Sequence, residues 1–434
     1  MQKIEIRNFG PIQNLILQLK DFSVLIGPQA SGKSTIAKTI FFFKSLNDDL
    51  VKYFINSFES GDFEKPINSY GKIIRQKYLD YFGPSTHLNN LYLKFYYTKD
   101  IWITITLETN HNYITANFSK TLLDSIKKLV NESLKFHSSH NSRSISLLTS
   151  KDLLQKDIEK REFISNIKEK CNLIFKEDRE LIFIPAGRSL LATLSDQLQY
   201  VNPRSLDFLM RTFLDKINIV RPLFNKSLND IIKERKLLTQ LEIDYSKTTL
   251  AENIITKILK GKYQFDKDGE KIYYDANSYV KLNFSSSGQQ ESLWILLLLF
   301  IIILEKQNVF IVIEEPEAHL FPEAQKEILN LIALMSNIRN SQVIITTHSP
   351  YIIASLNNLI LAKKAGNKNS KLVNNIINKH LWIDRNKIFA AKVQSGKVSE
   401  IIDSEFNIIE QDYVDMISRE INSEFDALFQ LNQQ

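Results

Sequence analysis

One short segment limits what this 434-residue chain can fold into more than any other feature. Residues 27–34 read GPQASGKS and match the pattern G-x-x-x-x-G-K-[ST]. The apolar residues 22–26 before it predict a buried strand, and residues 34–44 after it have the spacing of a helix. Such a loop can cradle phosphate, because its backbone N–H groups and the helix N-terminus both attract anions. The segment therefore predicts an α/β fold in which the loop follows a strand of a parallel sheet.

The loop residues have predicted roles in binding a nucleoside triphosphate. We expect Lys33 to reach the β- and γ-phosphates, Ser34 to ligate Mg²⁺, and Thr35 to contact the α-phosphate. The cofactors that this loop predicts are therefore ATP and Mg²⁺. The full set of expected phosphate-binding residues is Gly27, Pro28, Gln29, Ala30, Ser31, Gly32, Lys33, Ser34 and Thr35.

Two later apolar runs end in polar side chains. Residues 308–316 read NVFIVIEEP and residues 342–350 read QVIITTHSP, so each predicts a buried strand. At the end of the first, we assign Glu314 to Mg²⁺ and Glu315 to polarisation of the attacking water. At the end of the second, we expect His348 to contact the γ-phosphate. The alternatives are a strand that ends in solvated acids and a histidine with a structural role.

A fourth segment comes before the most apolar stretch of the chain. Residues 285–291 read SSSGQQE and predict the start of a helix. The N-terminus of that helix is expected to receive an anion through Ser286, Ser287, Gly288 and Gln289. Taken alone, the segment is better explained as an ordinary serine N-cap.

Strands and helices alternate at the two ends of the chain. Residues 91–118 predict a three-stranded antiparallel meander, and from residue 279 onward short apolar runs alternate with helices. There, residues 280–284 and 359–362 are each expected to be a strand of the parallel sheet. We predict a nucleotide-binding domain whose N-terminal part is 1–118 and 178–202 and whose C-terminal part is 261–397. A mostly helical insertion is expected at 119–177 and 203–260. Residues 398–434 are expected to form an acidic helical tail.

Charge is divided unevenly near the end of the chain. Residues 361–397 contain nine Lys or Arg and one Asp, a net +8, whereas residues 398–434 contain nine acids and one Arg, a net −8. This asymmetry indicates a basic surface that meets nucleic acid or an acidic protein segment, or else two faces that neutralise each other within the fold. The apolar run at 293–304 is shorter than the roughly 20 residues that span a bilayer, so we expect a cytoplasmic protein and no membrane partner.

Several other polar groups have weaker signals. Asp266 and Asp268 form an Asp-x-Asp pair, but Asp-Gly at 268–269 is typical of a tight hairpin turn, so we predict a structural role. His137 and His140 resemble half of a metal site, although a solvated loop is the favoured interpretation. Arg188 could face the nucleotide or a dimer partner, and a salt bridge at a helix start explains it equally well.

Together, the four main motifs resemble the ABC-type ATPase family, with residues 286–289 similar to its signature loop. In that family the signature of one subunit completes the ATP site of the other, so the resemblance implies a head-to-tail homodimer on ATP, with higher oligomers left open. Residues 314–322 and 347–350 resemble the RecF/SMC-like branch, especially the overcoming-lysogenization-defect ATPases. The fold class implied is α/β: an ABC-ATPase head, with a P-loop parallel sheet and N-terminal antiparallel strands, interrupted by a mostly helical insertion.

The resemblance also implies partners. Relatives in this branch carry their own Toprim nuclease domain or work with a separate effector. This chain resembles the ATPase subunit of two-gene antiphage systems of the Septu or PARIS type, which implies a separate effector nuclease. Two alternatives stay open: a RecF-like repair clamp that acts directly on DNA, and a regulatory scaffold that hydrolyses ATP slowly.

Overall fold

The structure is a computed structural model, and the residues it describes are 2–107, 113–141, 150–193, 206–238, 243–403, 408–410 and 412–432. The chain folds into two compact units. The first unit is Met1–Leu19, Ala30–Leu181 and Ser395–Lys397, and the second is Lys20–Gln29, Ile182–Gln394 and Val398–Gln434.

The described residues form fourteen strands and twelve α-helices. The strands are β1 (Lys3–Phe9), β2 (Ile12–Gln18), β3 (Phe22–Ile26), β4 (Leu91–Tyr96), β5 (Trp102–Leu107), β6 (Thr115–Phe118), β7 (Glu180–Ile184), β8 (Lys262–Asp266), β9 (Gly269–Tyr273), β10 (Tyr279–Lys281), β11 (Val309–Glu314), β12 (Gln342–Thr347), β13 (Ile388–Gln394) and β14 (Lys397–Glu400). The helices are α1 (Lys33–Ser60), α2 (Pro66–Phe82), α3 (Lys120–Asn141), α4 (Ser150–Phe175), α5 (Ser189–Thr193), α6 (Phe208–Val220), α7 (Leu228–Leu238), α8 (Tyr245–Leu259), α9 (Ser287–Leu304), α10 (Pro322–Ser336), α11 (Pro350–Ile376) and α12 (Asp412–Asn432).

The first unit contains an antiparallel sheet in the order β2-β1-β4-β5-β6. Residues of β4 are alternately buried and half-buried, as expected for a strand with one face against a core. Phe95 of β4 stacks on Phe43 of α1, with ring centroids 5.6 Å apart. The predicted meander is therefore confirmed, and it extends the N-terminal hairpin β1-β2 into one five-stranded sheet.

Helix α1 is longer than predicted and is fixed within the first unit by a buried ion pair. It continues to Ser60 and ends at Gly61, whose φ of 74° suits a glycine helix stop. Lys44 is fully buried and pairs with Glu177, which also accepts from Nη1 of Arg179 at 3.0 Å. Burial lowers the pKa of Lys44 to about 8. Burial opposes ionisation of Glu177, but Lys44 and Arg179 bring its pKa below the ordinary value.

The prediction that His137 lies in a solvated loop is wrong. Helix α3 continues through this residue to Asn141, and the imidazole of His137 lies edge-on to Phe58, with ring centroids 5.5 Å apart. Within the described ranges, no group of three or more His, Cys, Asp or Glu side chains could hold a metal ion. His137 therefore packs against an aromatic core in this unit.

The second unit is organised around a six-stranded sheet in the order β14-β13-β3-β12-β11-β7. β13, β3, β12 and β11 run parallel to one another. β3, β11 and β12 are buried along their whole length, which explains their continuous apolar sequences. The predicted fold class, with a parallel sheet, N-terminal antiparallel strands and many intervening helices, is confirmed.

The most apolar helix, α9, lies inside the second unit. By length and composition alone it could cross a membrane, but 83% of its residues are buried within the protein. Apolar residues all round a helix are expected when every side is covered by protein. Its first turn positions the serine-rich segment that precedes it.

Two predictions of strands in the parallel sheet are wrong. Residues 280–284 divide into β10, which pairs antiparallel with β9, and a 3₁₀ turn at Leu282–Phe284. Residues 359–362 lie within α11, where Ile352, Ile353 and Leu356 are buried at helical spacing. The predicted hairpin of β8 and β9 is confirmed, and Nζ of Lys271 lies 2.9 Å from Asp266 and 3.2 Å from Asp268.

Candidate functional site

The loop between β3 and α1 has a backbone that requires glycine. Gly32 is the N-cap of α1 and has a φ of 108°, which an L-residue rarely adopts. A Cβ on Gly32 would lie 2.5 Å from Cδ1 of Ile12 and 2.9 Å from Cγ of Pro11. The tight turn brings the chain directly into the first turn of α1, which contains no acidic residue. The partial positive charge of this N-terminus is therefore available to an anion.

The predicted phosphate-binding side chains differ in exposure. Lys33 is buried, Ser34 is exposed and Thr35 is half-buried. Pro28, Gln29 and Ala30 at the tip of the loop are exposed, whereas Gly27, Ser31 and Gly32 are buried. The hydroxyl of Ser31 has no hydrogen-bond partner among the described residues. An exposed loop tip next to a buried hydroxyl that lacks a partner fits a phosphate cradle.

In the second unit, three neighbouring parallel strands end at one edge of the sheet. Glu314 of β11 is in register with Thr346 of β12, and Thr347 of β12 is in register with Ile26 of β3. Glu314 at the end of β11, Glu315 after it, His348 after β12 and Gly27 after β3 therefore lie at neighbouring strand ends. This edge is where ligands bind in open α/β sheets.

Glu314 has one oxygen available for a cation. Its side chain is buried, and Oε2 accepts from the backbone N–H of Ala186 at 3.3 Å. Oε1 is also buried and has no hydrogen-bond partner within the described part of the chain. A buried carboxylate oxygen without a donor fits a Mg²⁺ ligand or an acceptor from a metal-bound water. The carboxylate of Glu314 is thus chemically suitable for holding Mg²⁺.

Glu315 and His348 are brought together. Oε1 of Glu315 lies 2.7 Å from Nε2 of His348, and both side chains are partly exposed. Glu315 has a φ of 44°, an uncommon conformation for a residue with a side chain, and its backbone N–H donates to Thr346 at 2.9 Å. The turn after β11 therefore directs this carboxylate towards the residue that follows β12.

Glu317 is a site residue without a predicted role. Its Oε1 accepts from the hydroxyl of Thr347 at 2.6 Å and from the backbone N–H of His348 at 2.8 Å. Burial raises the pKa of Glu317, against the effect of these two hydrogen bonds. Glu317 therefore fixes the turn that carries His348. Its position two residues after Glu315, as the third acid within four residues at the end of a buried strand, is the sequence signal that could have identified it.

The serine-rich segment forms the N-terminus of α9. Ser286 is the N-cap, and its hydroxyl accepts from the backbone N–H of Gln289. The side-chain Oε1 of Gln289 accepts in turn from the backbone N–H of Ser286 at 3.1 Å. Gln289 itself is buried, and its Nε2 donates to the carbonyl of Leu259 at 2.7 Å. Ser286 and Ser287 are exposed. The segment is thus a capping box with two serines facing outward.

Gly288 allows a close approach between two loops. A Cβ at this position would lie 2.8 Å from the carbonyl oxygen of His319, in the segment that follows β11. The start of α9 and this segment are therefore in contact. Phe284, which precedes α9 in sequence, and Phe321, which follows His319, are 76% and 77% exposed.

Arg188 does not face solvent, and its partner is an acid on α9. The side chain is fully buried, and its Nε lies 3.2 Å from Oε2 of Glu291. Burial lowers the pKa of the guanidinium, and Glu291 opposes that effect. The salt-bridge interpretation of Arg188 is the one that the structure supports. Glu291, a single acid at the start of an apolar helix, was the signal for it.

A comparison with protein-family models identifies the family over most of the sequence. Residues 1–353 match a family model described as the AAA ATPase domain. The chain belongs to this family. The predicted ATPase domain is thereby confirmed, and the family implies nucleotide binding. No curated protein sequence matches the chain.

Solved structures that match this chain include several SMC head domains. An SMC head bound to the C-winged helix domain of ScpA shares 12% identity, with a TM-score of 0.42 over 93% of this chain and 98% of that chain. The SMC head domain from Thermotoga maritima shares 14% identity, with a TM-score of 0.34 over 81% and 90%. An SMC head domain from Pyrococcus furiosus has an extended coiled coil and is bound to the C-terminal domain of ScpA. It shares 13% sequence identity, with a TM-score of 0.38 over 97% of this chain and 100% of that chain. At these values the similarity assigns no role to any residue of this chain.

Proposed function

We propose that this protein binds and hydrolyses ATP with Mg²⁺ and assembles head-to-tail when ATP is bound. The observation that carries the proposal is the set of adjacent strand ends. β3, which leads into the phosphate loop, lies beside β12 with His348, and β12 lies beside β11 with Glu314 and Glu315. A phosphate loop and a pair of carboxylates at one edge of the same sheet are the parts that phosphoryl transfer to water requires.

Each residue has a distinct role in this proposal. The backbone of residues 27–32 wraps the phosphates, and Lys33 contacts the β- and γ-phosphates. Ser34 and Glu314 hold Mg²⁺, which neutralises charge on the phosphate oxygens when it is bound. Glu315 accepts a proton from the attacking water, and His348 contacts the γ-phosphate.

The contact between Glu315 and His348 supports this division of roles. A distance of 2.7 Å between Oε1 and Nε2 shows that both groups reach the same small volume. His348 fixes the direction of the carboxylate in the free protein. When a γ-phosphate is bound, the imidazole can donate to it while Glu315 keeps its position from the backbone turn.

Two features support assembly through the start of α9. Ser286 and Ser287 are exposed at a helix N-terminus, where an anion from a second subunit would be favoured. The rings of Phe284 and Phe321, in the two segments that meet at Gly288 and His319, are exposed, and aromatic side chains are enriched in protein interfaces. A partner subunit could therefore bury these rings while its γ-phosphate meets the two serines.

We further propose that the ATPase acts as a sensor or scaffold that controls a separate effector nuclease in antiphage defence. This part rests on the motif resemblance to Septu and PARIS ATPase subunits. The basic residues at 361–397 favour a second candidate, a RecF-like clamp that acts directly on DNA. A slow-hydrolysing regulatory scaffold would use the same site at a lower rate.

Two substitutions that preserve the helix cap test the assembly. Ser286→Asp and Ser286→Asn both keep an N-cap acceptor of nearly the same size, so helix stability is retained. Only the first adds a negative charge where the partner's γ-phosphate is expected. Light scattering with a non-hydrolysable ATP analogue should show association of wild type and of Ser286→Asn, but not of Ser286→Asp. Equal association of both variants would contradict the role of Ser286.

A further inference from the structure

Arg188 makes an unusual set of hydrogen bonds inside the second unit. Its guanidinium donates to four backbone carbonyls: Nη1 to Pro185 at 2.6 Å and to Glu314 at 2.7 Å, Nη2 to Glu315 at 2.9 Å, and Nε to Glu291 at 2.9 Å. Two of these carbonyls belong to the residues assigned to Mg²⁺ and to the attacking water. Arg188 therefore contacts the backbone of both acids without touching their carboxylates.

The same arginine is joined to the start of α9 by a second set of bonds. Oε2 of Glu291 accepts from the backbone N–H of Arg188 at 3.0 Å, and its Oε1 accepts from the hydroxyl of Ser189 at 3.0 Å. Glu291 lies one turn after Ser287, the first residue of α9. A single buried pair thus connects the helix that carries Ser286 to the peptide groups of Glu314 and Glu315.

The connection ends where the backbone is strained. A φ of 44° at Glu315 costs free energy for a residue with a side chain, and such a conformation persists only when its surroundings fix it. The backbone N–H of Glu315 is held by Thr346, and its carbonyl is held by Arg188. Without the guanidinium, the peptide after Glu315 loses a charged donor and can relax to a commoner conformation.

We propose that Arg188 is a positioning residue, which holds Glu315 in its left-handed conformation and links that conformation to the first turn of α9 through Glu291. The inference rests on the proposed ATPase function and deepens it. Docking of a partner nucleotide at Ser286 displaces or tightens the first turn of α9, and the Arg188–Glu291 pair transmits that movement to the peptide of Glu315. Assembly and hydrolysis are thereby coupled within one subunit.

Arginine is required for this role because of its shape. A planar guanidinium presents donors in several fixed directions, whereas the ammonium of lysine is a point charge on a flexible stem. Arg188→Lys therefore keeps the charge opposite Glu291 but cannot reach the carbonyls of Pro185, Glu314 and Glu315 together. We expect kcat for ATP hydrolysis to fall about 10- to 100-fold, because a small displacement of a catalytic group has an effect of that size. The Kd for ATP should stay within about threefold of wild type, since the phosphate contacts remain.

Arg179→Lys is the matched control. Arg179 also pairs with a buried glutamate, Glu177, but in the first unit instead of the second. Its kcat should equal that of wild type after correction for the folded fraction. A structural role for Arg188 alone would lower activity of both variants in proportion to their loss of stability.

A second variant keeps the inference testable if Arg188→Lys does not fold. Glu291→Gln removes the charge of the pair but leaves an oxygen to accept from Arg188. We expect a folded protein with unchanged ATP affinity and a kcat at least about threefold below wild type, because the link to α9 is weakened. A wild-type kcat in Arg188→Lys, or in Glu291→Gln where Arg188→Lys is unfolded, would overturn the inference. A wild-type protein without ATPase activity would instead refute the proposed function.

Discussion

Replacing Gly32 by alanine tests the account of the phosphate loop. The φ of 108° at Gly32 lies in a region that costs an L-residue about 1–3 kcal/mol. The added methyl would also lie 2.5 Å from Cδ1 of Ile12, and forcing such a group into a packed site costs about 1–3 kcal/mol more. The free energy of unfolding should therefore fall by about 2–6 kcal/mol. For a domain of this size, that loss lowers Tm by about 2–4 °C per kcal/mol.

Gly71→Ala is the control, and the expected change has the opposite sign. Gly71 lies inside α2, and among the described residues no atom beyond the local helix backbone lies within 4 Å of an added Cβ. Alanine there should raise the free energy of unfolding by about 0.5–1 kcal/mol, because glycine weakens a helix interior. Urea unfolding followed by circular dichroism measures both variants.

A double-mutant cycle separates strain from crowding. Ile12→Val removes Cδ1, the atom nearest to the added methyl, and should recover part of the cost of Gly32→Ala. The remaining cost is the backbone strain together with the 2.9 Å approach to Cγ of Pro11, which Ile12→Val leaves in place. If Gly32→Ala is as stable as wild type, or if Ile12→Val recovers nothing, the described loop geometry is wrong.

Two further predictions concern charge. At pH 7, Glu177→Gln should lower the free energy of unfolding by about 3–5 kcal/mol, because Lys44 stays buried without its anion. The pKa of Glu177 is depressed in the folded protein, so the stabilisation by its carboxylate is present above its ordinary pKa and is lost as pH falls through the depressed value. The urea midpoints of wild type and variant should therefore converge below about pH 4. A difference between the two midpoints that stays constant with pH contradicts this prediction. Truncation after Glu410 removes α12 but keeps Ile409, which is buried and bonded to Asn357. In filter-binding assays, the intact chain should bind duplex DNA weakly and the truncated chain more tightly. The affinity of the truncated chain should fall steeply as the salt concentration rises. Tight, salt-sensitive binding by the intact chain would instead favour the DNA-clamp alternative.

Segments with a strong local signal could be predicted from the sequence. β3, β11 and β12 are buried on both faces, so their sequences are continuous apolar runs that end in glycine, acids or histidine. The hairpin of β8 and β9 was predictable because Asp-Gly at 268–269 favours a tight turn. For these elements, local chemistry and the tertiary fold require the same conformation.

Other features depend on contacts that no local pattern encodes. A run of four apolar residues at 359–362 is compatible with a short strand or with part of a helix, and burial against the rest of α11 decides for the helix. The role of Arg188 depends on Glu291 and Glu314, which are more than 100 positions away in sequence. The left-handed Glu315 likewise makes backbone hydrogen bonds to two residues distant in sequence, Thr346 and Arg188.

Hydrolysis and assembly of Glu315→Gln test the central claim most directly. Glutamine has nearly the same size and can still contact His348, but it cannot accept the proton of the attacking water. In a single-turnover assay with light scattering, we expect wild-type ATP affinity, hydrolysis reduced about 10²- to 10⁴-fold, and a persistent ATP-bound dimer. Lys33→Ala, as the comparison, should instead lose ATP binding and fail to assemble. Hydrolysis by Glu315→Gln at the wild-type rate would contradict the account.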